Sequence, residues 1–271
     1  GSAGAKTVIT IAYSAPTLYY YCTQHSGMGG QANTTKTHGS TNVKGSTQSI
    51  VSANTTSGFS IISYTGTNST ATVGHGLGVQ PEILLIKDRD ATRDWFILSK
   101  PFQEKYLTFA TASAQSGYYL SSNTFDSRMT TSLFTVDGST TEVNAGDEKY
   151  ICYAFASIDG FSKVGSYIGN GNANGPFIYT GFRPAWIMMK CAVGGTGNWF
   201  ILDSTRSATN EADDRLNAGT NGAETTGNSD IDFLSNGFKL RTASTSGINQ
   251  NTDTHIYLAF AEQPFKFANA R

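Results

Sequence analysis

Charge is what this sequence has least of. Lys, Arg, Asp and Glu make up 14% of its 271 residues, against roughly 25% in an average soluble domain. The 19 basic and 20 acidic side chains almost cancel, to a net −1. No broad positive field therefore gathers nucleic acid or anionic lipid. Long apolar runs are missing too. None nears the roughly 18–20 residues of a spanning helix, which argues against membrane insertion. No segment carries a sustained 3.6-residue apolar period, so long helices are excluded, and EADDRLNA (211–218) has room for one helical turn at most. Cysteine is scarce. Cys22, Cys152 and Cys191 are odd in number and widely spaced, which argues against a disulfide framework. Cys152 in YICYAFA and Cys191 after WIMMK are expected to be buried thiols. The signatures of common catalysts are absent: no G-x-S-x-G elbow, no Walker A loop, no H-E-x-x-H helix. The opening residues, Gly1 to Ala5, lack the charged and apolar regions of a signal peptide.

Glycine (29), Phe (16) and Tyr (13) are abundant. Stiff aromatic residues set among short polar ones suit half-buried strands joined by turns, so the chain is expected to be all-β. The strongest pattern is internal duplication. VQPEILLIK (79–87) matches FRPAWIMMK (182–190), and DWFILSK (94–100) matches NWFILDS (198–204). KYICYAFA (149–156) matches HIYLAFA (255–261), and GFSIISYTG answers GFSKVGSYIG. Pro81 and Pro184 each stand just before an apolar run, where a strand tolerates proline. The runs ILLIK and WIMMK read as strands buried on both faces.

These patterns divide the chain into an N-terminal β-hairpin (1–30), a Ser/Thr/Asn-rich linker (31–57), a first β repeat (58–157) and a second (158–271). The repeats are expected to be antiparallel β-sandwich units, either two in tandem or two halves of one pseudo-symmetric domain, packed on each other because almost no linker separates them. Roughly 100 residues each is enough for an independent core.

One stretch looks chemical. YYYCTQHSGMGG (19–30) places Cys22, His25 and Met28 within seven residues. Thiolate and thioether are soft ligands that favour copper, and imidazole suits it. Residues 13–30 resemble the C-terminal ligand loop of the cupredoxins, and the resemblance implies a copper site at Cys22, His25 and Met28. That family also needs a second His upstream of the Cys, and no His precedes Cys22. The competing expectation is a turn built on Gly27, Gly29 and Gly30.

The repeat blocks carry a broader resemblance. GFSIISYTG, VGHGLGVQPEILLIK, NAGDEKYICYAFA, GPFIYTGFRPAWIMMK and DIDFLSNGFKLR, spread over residues 58–266, are similar to a domain of marine tailed-phage virion proteins, especially tail fibres and related appendages. The resemblance implies a β-rich structural protein on a virion surface, assembling as a homo-oligomer and with other virion proteins, in possible contact with host-surface glycan. It implies no catalytic residue, and no cofactor is expected unless Cys22, His25 and Met28 bind copper. The rival expectations are a secreted carbohydrate-binding module, a copper-binding protein and a glycan depolymerase.

For glycan contact the aromatics are the candidates. Trp95 and Trp199 recur at matched positions inside apolar W-F-I-L runs, which is what core positions do. Tyr118 and Tyr119 sit in a polar surround in the first repeat alone and are better surface candidates. Asp88, Asp90 and Asp94 with Arg89 and Arg93, and Glu211, Asp213 and Asp214 with Arg215, are expected as solvated loops with weak ion pairs. His75, between glycines in VGHGLGV, is expected to be a turn residue bonded locally, and His255 a strand-face residue.

Overall fold

The computed structural model describes residues 18–21, 29–32, 39–110, 124–138, 140–227, 230–243 and 247–264. The all-β expectation holds: the strands form several antiparallel sheets. Among the described residues the helices are α1 (Phe125–Arg128) and α2 (Thr141–Asn144), each a single turn.

The chain divides into two units, residues 1–40 and 41–271. In the first, β1 (Leu18–Tyr21) and β2 (Gly29–Ala32) pair as an antiparallel hairpin with Tyr20 opposite Gly30. Gly30 leaves room for the exposed Tyr20 ring to lie across it, which a side chain there would have to push aside.

The larger unit holds two extended sheets and two small ones. Its first half supplies β3 (Ser40–Asn42), β4 (Ser49–Asn54), β5 (Phe59–Thr65), β6 (Ala71–Gly74), β7 (Ile83–Asp88), β8 (Phe96–Ser99), β9 (Phe102–Thr108), β10 (Leu133–Val136) and β11 (Lys149–Phe155). They form one sheet in the order β3-β4-β5-β11-β7-β8-β9 and a pair β10-β6. The second half supplies β12 (Ser162–Ile168), β13 (Phe177–Tyr179), β14 (Pro184–Val193), β15 (Phe200–Asp203), β16 (Leu216–Asn217), β17 (Ile231–Leu234), β18 (Gly237–Leu240) and β19 (Thr254–Ala261). These form β12-β19-β14-β15-β16 and β13-β18-β17.

The apolar runs explain the layering. Successive side chains of a strand point to opposite faces. In β7, Leu84 and Ile86 enter a core with Phe134 and Val136 of β10, while Ile83 and Leu85 enter another with Met188 and Leu258. In β14, Ile187 and Met189 join Phe233 and Phe238, while Met188 faces the core shared with β7. One apolar cluster thus draws side chains from both extended sheets, and each sheet's other face is lined by a cluster of its own. Each fully buried aliphatic or aromatic side chain contributes roughly 1.5–3 kcal/mol. A run such as ILLI (83–86), apolar and buried at every position, is what two buried faces require.

The segment expected as a linker is corrected in part. Ser49–Asn54 is strand β4, with Ser49 and Val51 buried and Ile50 and Ser52 exposed. The period-2 burial is clear, but only Val51 and Ala53 of the inward face are apolar, too few to stand out from the polar stretch around them.

The strand order β5-β11-β7-β8 recurs as β12-β19-β14-β15, and particular contacts recur with it. Tyr64 Oη donates to the Val143 carbonyl at 2.7 Å, and Tyr167 Oη to the Ile248 carbonyl at 2.8 Å. Buried Asn144 accepts from Thr67 N at 2.9 Å and donates to Ser69 O at 2.7 Å. Buried Asn249 accepts from Asn170 N at 2.9 Å and donates to Asn172 O at 2.9 Å. An asparagine bonds two loop segments this way because it carries acceptor and donor on one planar group.

Candidate functional site

An open site among the described residues grows from the end of β7. Asp88 closes the turn that follows: its Oδ1 accepts from Asp90 N at 2.9 Å and Ala91 N at 3.0 Å, the local bonding that suits Asp to turns. Arg93 then reaches back. Its Nη1 donates to Asp88 Oδ2 at 2.7 Å and to Glu148 Oε2 at 2.8 Å, the latter from the neighbouring strand end. The Asp88 side chain is fully buried. This corrects the expectation of a solvated loop with weak pairs: charge-assisted bonds of this length, with one partner out of water, hold the loop in place. Burial works to raise the Asp88 carboxyl, but the Ala91 and Asp90 amides, Glu148 and Arg93 outweigh it, and the group sits below its usual range. Glu148 moves the other way, raised first by sharing a hydrogen bond with Asp88 and then by burial.

That loop positions Trp95. Its indole stacks on Tyr153, centroids 5.9 Å apart at 24°, and meets Phe109 edge-on at 5.9 Å and 75°. The indole stays half-buried beside an open groove of about 740 Å³. Lys87, Arg93, Asp94, Phe109 and Asn221 line that groove with it. Lys87 is itself steadied, its Nζ donating to the Asp88 carbonyl at 2.8 Å. A fixed aromatic ring rimmed by an amine, a carboxylate and an amide offers an apolar face with hydrogen-bonding groups around it. That combination suits a polyhydroxylated ligand, whose C–H face stacks while its hydroxyls bond to the rim.

The sequence match of Trp95 with Trp199 predicts core positions for both, and both pack on the apolar cluster between the extended sheets, Trp95 partly buried and Trp199 sealed. Trp199 is 1% exposed, and its Nε1 donates to the Thr108 carbonyl at 2.8 Å. Lys190, which matches Lys87, is also buried, with Nζ on the Gly197 carbonyl at 2.7 Å. Burial pulls the Lys190 ammonium down to about 8. The chain around β16 lies close over this region: Ala218 N donates to the Trp199 carbonyl at 2.8 Å, and any side chain at Gly219 would run into the Phe109 carbonyl.

Tyr118, Tyr119, Cys22, His25 and Met28 lie outside the described residues. Among the described residues, no group of three or more His, Cys, Asp or Glu is placed to hold a metal. His75 is buried, its Nε2 3.2 Å from the Thr130 carbonyl and its Nδ1 accepting from Leu77 N at 3.2 Å. Cys152 and Cys191 are both buried, and burial pushes the Cys191 thiol up to about 11. A thiol so held is protonated at neutral pH and is a poor nucleophile.

Sequence reasoning missed two arrangements. Cys191 lies across from His255 in the β14–β19 register, with its Sγ 3.7 Å from Asp253 Oδ2. Arg215 is buried against Asp230, Nη1 to Oδ2 3.3 Å, with its guanidinium 4.4 Å from the Phe200 ring centre. The second cluster of mixed charges, expected to be solvated, is therefore partly internal. No spacing signals either arrangement, because the partners are brought together only by strand pairing and by the fold around β17.

Residues 32–264 match the model of a family described as a domain of unknown function (DUF7483), and the chain belongs to that family. No curated protein and no solved structure matches it.

Proposed function

We propose that this member of the DUF7483 family is a virion structural protein, a subunit of a phage tail fibre or other exposed appendage. In this reading it assembles with copies of itself and with other virion proteins, and it meets host-surface glycan in the Trp95 groove. Its two halves are copies of one β-sandwich unit, the second keeping the aromatic position as core and the first leaving it open to a ligand. The chain works by shape and avidity rather than by catalysis: weak contacts repeated on an oligomer gain strength through effective concentration.

The observation that carries the glycan reading is the divergence of two matched tryptophans. Trp199 is sealed, whereas Trp95, braced by Tyr153 and Phe109 and packed on the same cluster, keeps part of its ring open to a groove with polar rims. The fold tolerates burying this position, as Trp199 demonstrates, so exposure at Trp95 is not forced by the strand pattern.

A glycan array probed with the assembled protein tests it. Binding by wild type that drops roughly tenfold or more in Trp95→Ala, as the loss of a stacking contact multiplied by avidity requires, supports the reading. Binding unchanged in that variant removes the groove from it. Sedimentation of the protein from its native source tests the appendage reading separately, since a lone monomer outside any particle favours a secreted carbohydrate-binding module that uses the same groove.

A further inference from the structure

A second groove, of about 660 Å³, opens beside β4, β5 and the start of β11. We infer that it is a subsite for an anionic sugar residue, one carrying a carboxylate or a sulfate. Two cations line it. Arg89 follows β7 and Lys149 begins β11, and the Arg89 amide donates to the Lys149 carbonyl at 2.8 Å, which fixes the two residues side by side. The Arg89 side chain is exposed and makes no hydrogen bond or ion pair to another described residue. The Lys149 ammonium is 4.0 Å from Asp90 Oδ2, with both side chains well exposed. The Asp90 carboxylate already accepts the Lys149 amide at 2.9 Å. An exposed pair at that distance is weak, so both cations are available to a ligand.

The rest of the wall is hydroxyl rather than charge. Ser63 and Thr65 line the groove. Ile50, 53% exposed, adds an apolar contact. A guanidinium and an ammonium together select an oxyanion, the guanidinium by a two-pronged bond. The surrounding hydroxyls and the single apolar side chain match the remainder of a sugar ring. A bare inorganic anion would leave most of that volume unused, and two cations are too few for a nucleic-acid backbone. The site shares no residue with the Trp95 groove, so it stands whether or not that groove binds glycan.

Calorimetric titration of the full chain tests the assignment with three size-matched probes: oligogalacturonate for carboxylate, sulfated dextran oligosaccharide for sulfate, and neutral dextran. Wild type is expected to bind at least one anionic probe and not the neutral one, and the probe that binds identifies the anion. The double variant Arg89→Gln/Lys149→Gln is expected to lose about tenfold or more of that affinity, as removal of charge-assisted bonds demands, with its thermal midpoint unchanged because both side chains are exposed. Trp95→Ala is expected to bind the anionic probe as wild type does. The assignment is overturned by equal binding of neutral dextran, by no binding of either anionic probe, by wild-type affinity in the double variant, or by loss of anionic binding in Trp95→Ala.

Discussion

His255 lies flat on Tyr167, ring centroids 4.9 Å apart and planes 6° from parallel. The corresponding pair in the first half, Tyr64 on Tyr150, is 5.2 Å apart at 15°. In both halves the two residues are direct partners across neighbouring strands. The same stacking therefore holds a phenol in one half and an imidazole in the other, and only the imidazole titrates near neutrality.

Burial lowers the His255 pKa below 6.5, against smaller opposing effects from the Asp253 carbonyl and carboxylate. The unfolded chain then binds a proton that the folded chain refuses. The stability this represents is complete above about pH 6.5 and is lost as pH falls from there toward the folded pKa. Urea denaturation between about pH 7 and 5 should show wild type losing stability more steeply than His255→Gln. Parallel curves for the two proteins would mean that His255 gains its proton without cost in the fold.

Asp230 has the opposite sign. Burial pushes its carboxyl up to about 6, with Asp213 adding to the rise and Arg215 working against it. Between the ordinary carboxylate range and about pH 6 the folded chain holds a proton that the unfolded chain has released. The contribution is present in acid and disappears as pH rises through about 6. Asp230→Asn keeps the shape and fixes the group as neutral. The stability of wild type relative to this variant should therefore decline from about pH 4 to 6 and level off above. A wild-type advantage that grows over that interval would show that Arg215 keeps the aspartate ionised throughout.

How much of this was legible depends on the range of the interaction. The apolar runs at β7 and β14 and the matched blocks around them were readable, because burial on both faces leaves a local signature in the residues themselves. β4 was not, because Val51 and Ala53 are its only apolar inward residues and Ser49 is buried by bonding to the Gly74 carbonyl at 2.9 Å. The groove was half legible. Trp95 stood out as an aromatic, but whether it faces a core or an opening depends on what lies over it, and Ala218, Gly219 and Asn221 come from more than a hundred residues away. The partners of Arg93 were hidden for the same reason: Glu148 reaches it only through the pairing of β7 with β11.

The loop clamp gives a third prediction. Asn249 is wholly buried, and its amide nitrogen also donates to the Thr242 carbonyl at 2.7 Å. Asn249→Ala removes at once its hydrogen bonds with the Asn170 amide and with the Asn172 and Thr242 carbonyls, each worth about 1 kcal/mol net. A loss of about 3 kcal/mol in urea denaturation is expected, with a comparable loss for Asn144→Ala. Gly169→Ala should be damaging for a related reason, since its Cβ would run into the Gln250 carbonyl in the same loop. Gly222→Ala, whose Cβ meets only the Thr220 hydroxyl at 3.6 Å, is the control and should be neutral. Equal stability of Asn249→Ala and wild type would show that water replaces the amide.

The two tryptophans separate structure from recognition. Trp199→Ala removes a side chain that is 1% exposed, together with its hydrogen bond to the Thr108 carbonyl, and a loss of about 3–5 kcal/mol follows from the cavity alone. Trp95→Ala removes a partly buried ring that packs, with its supports Tyr153 and Phe109, against the core between the extended sheets. Those supports keep their places when it goes, so its loss should cost well below that of Trp199, on the order of 1–2 kcal/mol for a partly buried aromatic. Chemical denaturation of both variants checks the difference, with tryptophan fluorescence reporting which indole is quenched by added iodide. Trp95 is expected to be quenched in the native state and Trp199 to be protected. If Trp95→Ala destabilised the fold as much as Trp199→Ala, the exposed position would be explained by packing, and glycan recognition would need another site.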